Sequence, residues 1–349
     1  MPTVDAVDLR GWAAAVLEAA GLPAAHAATV ADTLSYAEQR GLASHGYTRL
    51  SVYLDRIEAG GINRAARPEV VADRGAMAVI DGDDACGATS AVFAVTEAVE
   101  RARRHGIGCT AVRRGNHYGA AGYYTDLIRE AGMIGISVCN TDAVMSAPGG
   151  TRPVLGSNPL AISLPLQGEA GPRMDMATTQ VSLGRLVVAA QMGEPIPKGW
   201  AVDVHGNPTE DPHQGLEGGL VPTGGPKGYA LAFMIDALVA LGGATISRNV
   251  APLYGDPSAA QGLGFVFIAI DVPDPQQYRA AISSLVSAVR TSGPTVDGQP
   301  VVMYPGEPEL HAWRRSDGSH ELSPSLWTAL QAIGRRHGIA LVPSSASAL

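Results

Sequence analysis

From residue 77 to residue 139 strand-like and helix-like segments alternate, but the one glycine run that imitates a dinucleotide fingerprint stands on the wrong side of a strand. The order is a strand at 77–80, a glycine-containing turn at 82–87 and an Ala/Val helix at 89–104. A strand at 107–112, a loop at 113–118, a helix at 119–131 and a strand at 134–139 follow. Gly106-Ile107-Gly108-Cys109-Thr110-Ala111 matches GxGxxA, yet it joins a helix to a strand. A fingerprint must join a strand to a helix, because the helix N-terminus then sits under the pyrophosphate. The match is a chance one, and the chain reads as something other than a Rossmann fold.

Beyond 139 the rhythm loosens. Strands are expected at 160–164, 174–177 and 264–270, and helices at 181–191, 227–242, 275–289 and 325–337. Residues 193–226 are rich in proline and glycine and too long for an ordinary connection, which marks a functional loop or part of a small subdomain. Upstream, an alanine-rich stretch at 12–40 reads as two helices parted by Gly21-Leu22-Pro23, with Pro23 opening the second. A third helix is expected from Ser44 to Ala59, stopping at Gly60-Gly61. The fold class is α/β (α+β), with a mixed sheet. The expected units are a helical N-terminal domain at 1–75, joined by the segment 310–349, and a mixed-sheet domain at 76–309. The latter carries a small helical and loop subdomain around 181–250.

A chain of 349 residues with 46% apolar and 17% charged residues suits packed globular domains. A net charge of −8 argues against nucleic acid or an anionic membrane as partner. No signal-peptide pattern opens the chain and no apolar run reaches membrane-spanning length. Cys86, Cys109 and Cys139 are an odd count without CxxC spacing. They read as reduced thiols, and the expected location is the cytoplasm.

Two histidines stand in settings that chemistry uses. On the expected third helix His45, Arg49 and Tyr53 recur every four residues and share a face. A guanidinium there can hold a carboxylate while the neighbouring imidazole moves a proton; alternatively His45 packs or caps and Arg49 pairs with a surface acid. Ser44 precedes His45 as a capping candidate. His117 lies just before a helix start, which lowers an imidazole pKa and exposes the N–H groups of Gly119, Ala120 and Ala121 to an anion. A structural histidine fits that position equally well. Gly224-Gly225-Pro226-Lys227-Gly228 is no Walker A loop, since Lys227 is followed by glycine. A lysine opening a helix nevertheless suits a bound anion. Asp203, His205, Asp211 and His213 read as loop polarity, and no metal site is expected. No nucleophile elbow supports a hydrolase.

These segments carry a resemblance. SHGYTRLSVYLDRIEAGGIN (44–63), GNHYGAAGYY (115–124), GSNPLAISLP (156–165), MDMATT (174–179), IPKGWAVDVHGNPTEDP (196–212), GGPKGYALAF (224–233) and PGEPE (305–309) resemble the malate/L-lactate dehydrogenase family of non-Rossmann NAD(P)-dependent oxidoreductases. The likeness runs over nearly the whole chain. It implies a homodimer with its active site between domains, and hydride transfer between the nicotinamide of NAD or NADP and C2 of a small 2-oxo or 2-hydroxy acid. By the resemblance His45 is the proton donor and acceptor, Arg49 the carboxylate anchor and His117 a pocket neighbour. Gly119, Ala120 and Ala121, then Asp175, Met176, Ala177, Thr178 and Thr179, then Lys227 and Gly228, and finally Pro305, Gly306 and Glu307 hold the dinucleotide. Ser44, Tyr53, Asn140 and Asp142 face the substrate.

Two departures from the family pattern stand out. Pro226 replaces the usual histidine of GGHKG, and no histidine precedes the late strand in GLGFVFIAID. NAD and NADP stay equal expectations. A carboxylate at Asp142 would repel a second substrate carboxylate and pair with a cation, which favours lactate-like or cyclic imino acid substrates over malate. Reduction of a cyclic imino acid is therefore the alternative activity. A non-catalytic protein that keeps the dinucleotide fold is the alternative of another class. At an ordinary histidine pKa near 6.5, His45 would both give and take protons around neutrality.

Overall fold

The computed structural model describes residues 2–166, 170–293, 301–316 and 318–343. Positions 344–349 of the expected C-terminal segment therefore lie outside the described residues.

A seven-stranded mixed sheet forms the centre. Its order is Glu69–Arg74, Met77–Asp81, Ile107–Gly115, Leu263–Ile270, Ile134–Cys139, Leu160–Ser163 and Arg173–Met176. Only Met77–Asp81 and Ile107–Gly115 run parallel, across the helix Gly87–His105. The strand Leu263–Ile270 inserts antiparallel between Ile107–Gly115 and Ile134–Cys139. The alternation of strands and helices therefore yields one parallel pair in a largely antiparallel sheet. The sheet is mixed and non-Rossmann, as the misplaced glycine run required.

Alternation along the central strand explains how both faces are covered. Phe265, Phe267 and Ala269 point to one side and join Ile80, Val112, Tyr118, Tyr124 and the helices Gly87–His105 and Ala121–Glu130. Val266 and Ile268 point to the other side and meet Ile235 and Val239 of the helix Pro226–Val239. This is the period of two that a strand buried on both faces requires. The cluster on the first side is aromatic, with Tyr118 stacked at 4.6 Å from Phe265 and 4.8 Å from Tyr124 between ring centroids.

The N-terminal helices are Ala6–Ala19 and Ala24–Gln39, the first beginning earlier than expected because Asp5 caps it by accepting from the Val7 and Asp8 N–H groups. They share one core with Leu322, Leu326, Leu330 and Ile333 from the far end of the chain. Thr3–Asp5 pairs antiparallel with Ser319–Glu321, and the Trp12 indole donates to the Ile339 carbonyl at 3.1 Å. Three short strands of the long 193–226 stretch, Ala201–Val202, Pro208–Thr209 and Gly219–Leu220, join Met145–Ser146 and Pro153–Leu155 in a small five-stranded sheet. Its own core is Val144, Val181, Leu186, Ile196, Ala201 and Leu220.

Candidate active site

The expected third helix is not continuous. Residues Ala43–His45 and Tyr47–Arg49 form two short 3₁₀ turns, and the α-helix begins only at Leu50, running to Ala59. Gly46 breaks the path: a Cβ there would collide with the Glu38 carboxylate, which accepts the Tyr47 N–H at 3.1 Å. The break turns Arg49 back on its own segment, and its Nε donates to the Ser44 carbonyl at 2.6 Å. His45 and Arg49 thus stand side by side through a folded turn rather than along one helical face.

His117 reaches the same place from the end of the strand Ile107–Gly115. Its neighbour Asn116 is buried and donates to the Asp84 and Ala85 carbonyls at 2.9 and 3.1 Å, which fixes the loop. The His117 N–H donates to the Gln261 side chain at 2.9 Å. The two imidazoles stack, with centroids 5.9 Å apart and planes inclined by 20°. Ser44 Oγ lies 3.0 Å from His45 Nδ1, and Tyr53 Oη 2.7 Å from His117 Nδ1.

These groups wall a cleft of about 530 Å³, within the usual range for small-molecule sites. Ser44, His45, Arg49, His117, Gly119, Ala120, Ala121, Asp142, Asp175, Met176, Ala177 and Thr179 all line it. Other expected residues do not line it. Tyr53 touches His117 instead of the cleft. Asn140 is fully buried, donating to Asp236 and the Thr245 carbonyl and accepting the Gly264 N–H, so its amide is committed to holding the central strand. Thr178 bonds the Ser157 carbonyl. Lys227 is exposed at its helix start, and Gly228 is a packing glycine, where a Cβ would come within 2.5 Å of the Thr223 carbonyl and 2.6 Å of the Thr178 carbonyl. Glu307 is held by Arg290 at 2.6 Å and by the Tyr304 N–H at 3.0 Å. The Pro305 carbonyl accepts the Arg173 N–H at 2.9 Å, so the 305–307 turn acts on the cleft through that strand.

Electrostatics differ from the expectation of an ordinary histidine. Burial, then the charge of Arg49, pulls His45 down to about 4. His117 falls well below its usual value through burial, then Arg49, His45 and Arg56. The helix start, expected to be the cause at His117, lies farther along at Ala121. Burial raises the Asp142 carboxyl, and the nearby Arg49 offsets part of that rise. Asp175 keeps contact with the open cleft yet is ringed by protein, and it is pushed up to about 6. Its Oδ2 accepts the Gly122 N–H at 2.7 Å. The start of the helix Ala121–Glu130 therefore already holds a carboxylate, and a phosphate there would meet like charge.

Sequence reasoning missed the loop 253–261. There Tyr254 accepts from Arg49 Nη1, its ring centroid 5.3 Å from the guanidinium carbon, and Gln261 holds His117. Arg56 pins the loop by donating to the carbonyls of Leu253, Asp256 and Ala259. Arg185 was missed as well. It lines the cleft from the first turn of Leu183–Met192, a helix without a side-chain cap, and makes no ion pair among the described residues. Among those residues no group of His, Cys, Asp and Glu is placed to hold a metal, and no helix is long and apolar enough to cross a membrane.

Residues 4–331 match the family model described as malate/L-lactate dehydrogenase. The malate/(S)-sulfolactate dehydrogenase of Methanothermus fervidus is 35% identical over 335 residues, covering 93% of this chain and 95% of that one. The ureidoglycolate dehydrogenase (NAD(+)) of Escherichia coli K12 is 36% identical over 292 residues, 82% of this chain and 83% of that one. Among solved structures, the sulfolactate dehydrogenase of Methanocaldococcus jannaschii superposes with a TM-score of 0.89 at 32% identity, covering 97% and 98% of the two chains. The relatives include proteins named for NAD(+) and for NADP(+). The chain belongs to the malate/L-lactate dehydrogenase family, and it is an NAD(P)-dependent oxidoreductase of small organic acids.

Proposed function

We propose that the protein transfers a hydride between the nicotinamide of NAD or NADP and C2 of a 2-oxo or 2-hydroxy acid, with Arg49 anchoring the carboxylate and His45 moving the proton. The observation that carries this reading is the shared turn of His45 and Arg49 in the wall of one cleft, with His117 stacked behind. When bound, the dinucleotide supplies or accepts the hydride. In oxidation neutral His45 takes the hydroxyl proton. In reduction C2 gains the hydride, the carbonyl π pair moves to oxygen, and protonated His45 gives that oxygen its proton.

The wall suits a dinucleotide. Gly119 is at φ +83° with open space where a Cβ would stand, which lets a planar ring approach the backbone. Asp175 at the helix start suits the donor face of a carboxamide better than a phosphate. Arg185, with no ion pair among the described residues, and the uncapped first turn beside it suit a pyrophosphate. Tyr53 and Asn140, expected at the substrate, act in this reading as supports for His117 and the central strand, and Gly228 and 305–307 as supports for the cleft wall, while Lys227 stands exposed outside the cleft lining. The decisive experiment is turnover of a panel of 2-oxo and 2-hydroxy acids by wild type and His45→Ala, followed by nicotinamide absorbance. His45→Ala should keep dinucleotide affinity within a few fold and lose about 10²–10⁴ in turnover. Near-wild-type turnover in a folded variant would remove His45 from the role.

A second reading, reduction of a cyclic imino acid, draws on Asp142 in the cleft beside Arg49. A carboxylate favours a cationic iminium. If Asp142→Ala leaves the ratio of imine to dicarboxylate turnover unchanged, Asp142 does not select the substrate.

A further inference from the structure

Two donors converge on one nitrogen of His117. The Gly119 N–H points at Nδ1 from 3.4 Å, and Tyr53 Oη lies 2.7 Å from the same atom. An amide N–H can only donate, so Nδ1 presents its lone pair, and the short contact is then a Tyr53 O–H donating to it. A neutral imidazole carries one N–H, which is left on Nε2. Burial pushes the Tyr53 phenol up, so the hydroxyl keeps its proton. Burial together with Arg49, His45 and Arg56 opposes a second proton on His117. Tyr53 itself is 5% exposed and has no access to the cleft, so its hydroxyl acts on the site only through the ring it touches.

We propose that Tyr53 is a positioning residue that locks His117 as its Nε2–H tautomer, making His117 a neutral hydrogen-bond donor to the C2 oxygen of the substrate. The proposal rests on the reading of the cleft as the 2-oxo acid site. It divides the work of the stacked imidazoles. His45 gains and loses the proton, while His117 keeps its own on Nε2 and stabilises the charge that grows on oxygen as the hydride arrives. Two like imidazoles with the same task would compete for one proton. The Tyr53 hydrogen bond makes them unlike.

The test reads the tautomer without turnover. In the full-length protein labelled with ¹⁵N-histidine, the His117 signals are assigned by their loss in His117→Gln. Wild type should give an unprotonated Nδ1 and a protonated Nε2. Tyr53→Phe, with its fold verified by circular dichroism, should mix the tautomers and lower kcat by about 10- to 100-fold, with the dinucleotide KM unchanged. An Nδ1–H wild type overturns the proposal on its own, without any variant. So does a Tyr53→Phe enzyme that keeps either the wild-type tautomer or the wild-type kcat. A wrong substrate assignment would show as an inactive wild type with the Nε2–H signal intact, which separates the two failures.

Discussion

At His45 the difference between an ordinary imidazole and this one decides the direction of easy chemistry. The residue type alone gives a value near 6.5, but burial and Arg49 bring it to about 4. At neutral pH His45 is therefore uncharged, the form that the proposed oxidation of a hydroxyl requires. In the proposed reaction a carboxylate seated on Arg49 would cancel the lesser of the two causes that depress His45, burial being the larger. A bound 2-oxo acid would thereby raise the proton affinity of its proposed proton donor. The kcat/KM for 2-hydroxy acid oxidation should stay flat from neutrality through pH 6 and fall only toward about 4. In Arg49→Gln the acid limb should move upward, and KM for the acid should rise by the equivalent of about 2–5 kcal/mol. Asp175 titrates at about 6, so the profile is repeated in Asp175→Asn. A limb at 6.5 in that background would show that neither burial nor Arg49 depresses His45, and an unmoved limb in Arg49→Gln would show that Arg49 exerts no such field. Stability follows the same sign. An unfolded histidine binds its proton below about 6.5, whereas folded His45 binds it only near 4. Its contribution is thus complete above 6.5 and is lost as pH falls toward 4. His45→Gln should flatten the fall of Tm between those limits, measured by calorimetry.

Elements set where these residues stand, and here the sequence was only partly legible. Helices at 24–39, 87–105, 121–130 and 275–290 follow from periodicity, helped by Gly106 ending the second and by the Asp274 cap of the last. The 44–49 segment does not, because its shape depends on Gly46 meeting Glu38 from the preceding helix. Spacing brought His45 and Arg49 together for the wrong reason: a four-residue interval meets in a folded double turn as well as on a helix. The pairing of Tyr254 with Arg49 spans 205 residues and leaves no local pattern at all. Arg56 makes that long-range contact possible, since it is fully buried and its guanidinium serves three carbonyls of the 253–259 loop. Arg56→Ala should cost about 2–4 kcal/mol, as buried carbonyls lose their donors. It should also weaken acid binding, because Tyr254 loses its support. Denaturant unfolding read beside KM checks both, and a stability loss with unchanged KM would make Arg56 purely structural. Gly228 illustrates the opposite case, a motif residue whose meaning was steric. Glycine there lets the helix Pro226–Val239 approach Thr178 and Thr223, which join the small sheet to the cleft wall.

For the whole molecule, the helix Pro226–Val239 poses the main question. One side seals the large sheet through Ile235 and Val239, and the only charge between Gly228 and Ile246 is the buried Asp236. The other side carries Leu231, Phe233, Met234 and Leu238, followed by Leu241 in the 3₁₀ turn Ala240–Gly242, each 40–60% exposed. A helix apolar all round belongs in an interior, and contiguous apolar surface of this kind marks an interaction site in a soluble protein. The homodimer expected from the family resemblance offers a second copy of the same face as cover. A two-fold contact of matching apolar stripes satisfies that geometry without any new chemistry. The helix that carries the stripe packs through Gly228 against Thr223, which lines the cleft, so pairing there would also steady the wall. Phe233→Glu with Met234→Glu should shift the protein from dimer to monomer in light scattering, since each carboxylate would be forced against its counterpart. The variant should keep its far-ultraviolet circular dichroism, because neither side chain belongs to the core. If the protein with both substitutions remains a dimer at micromolar concentration, the interface lies elsewhere. If the wild type is monomeric, the stripe does not pair with its own copy.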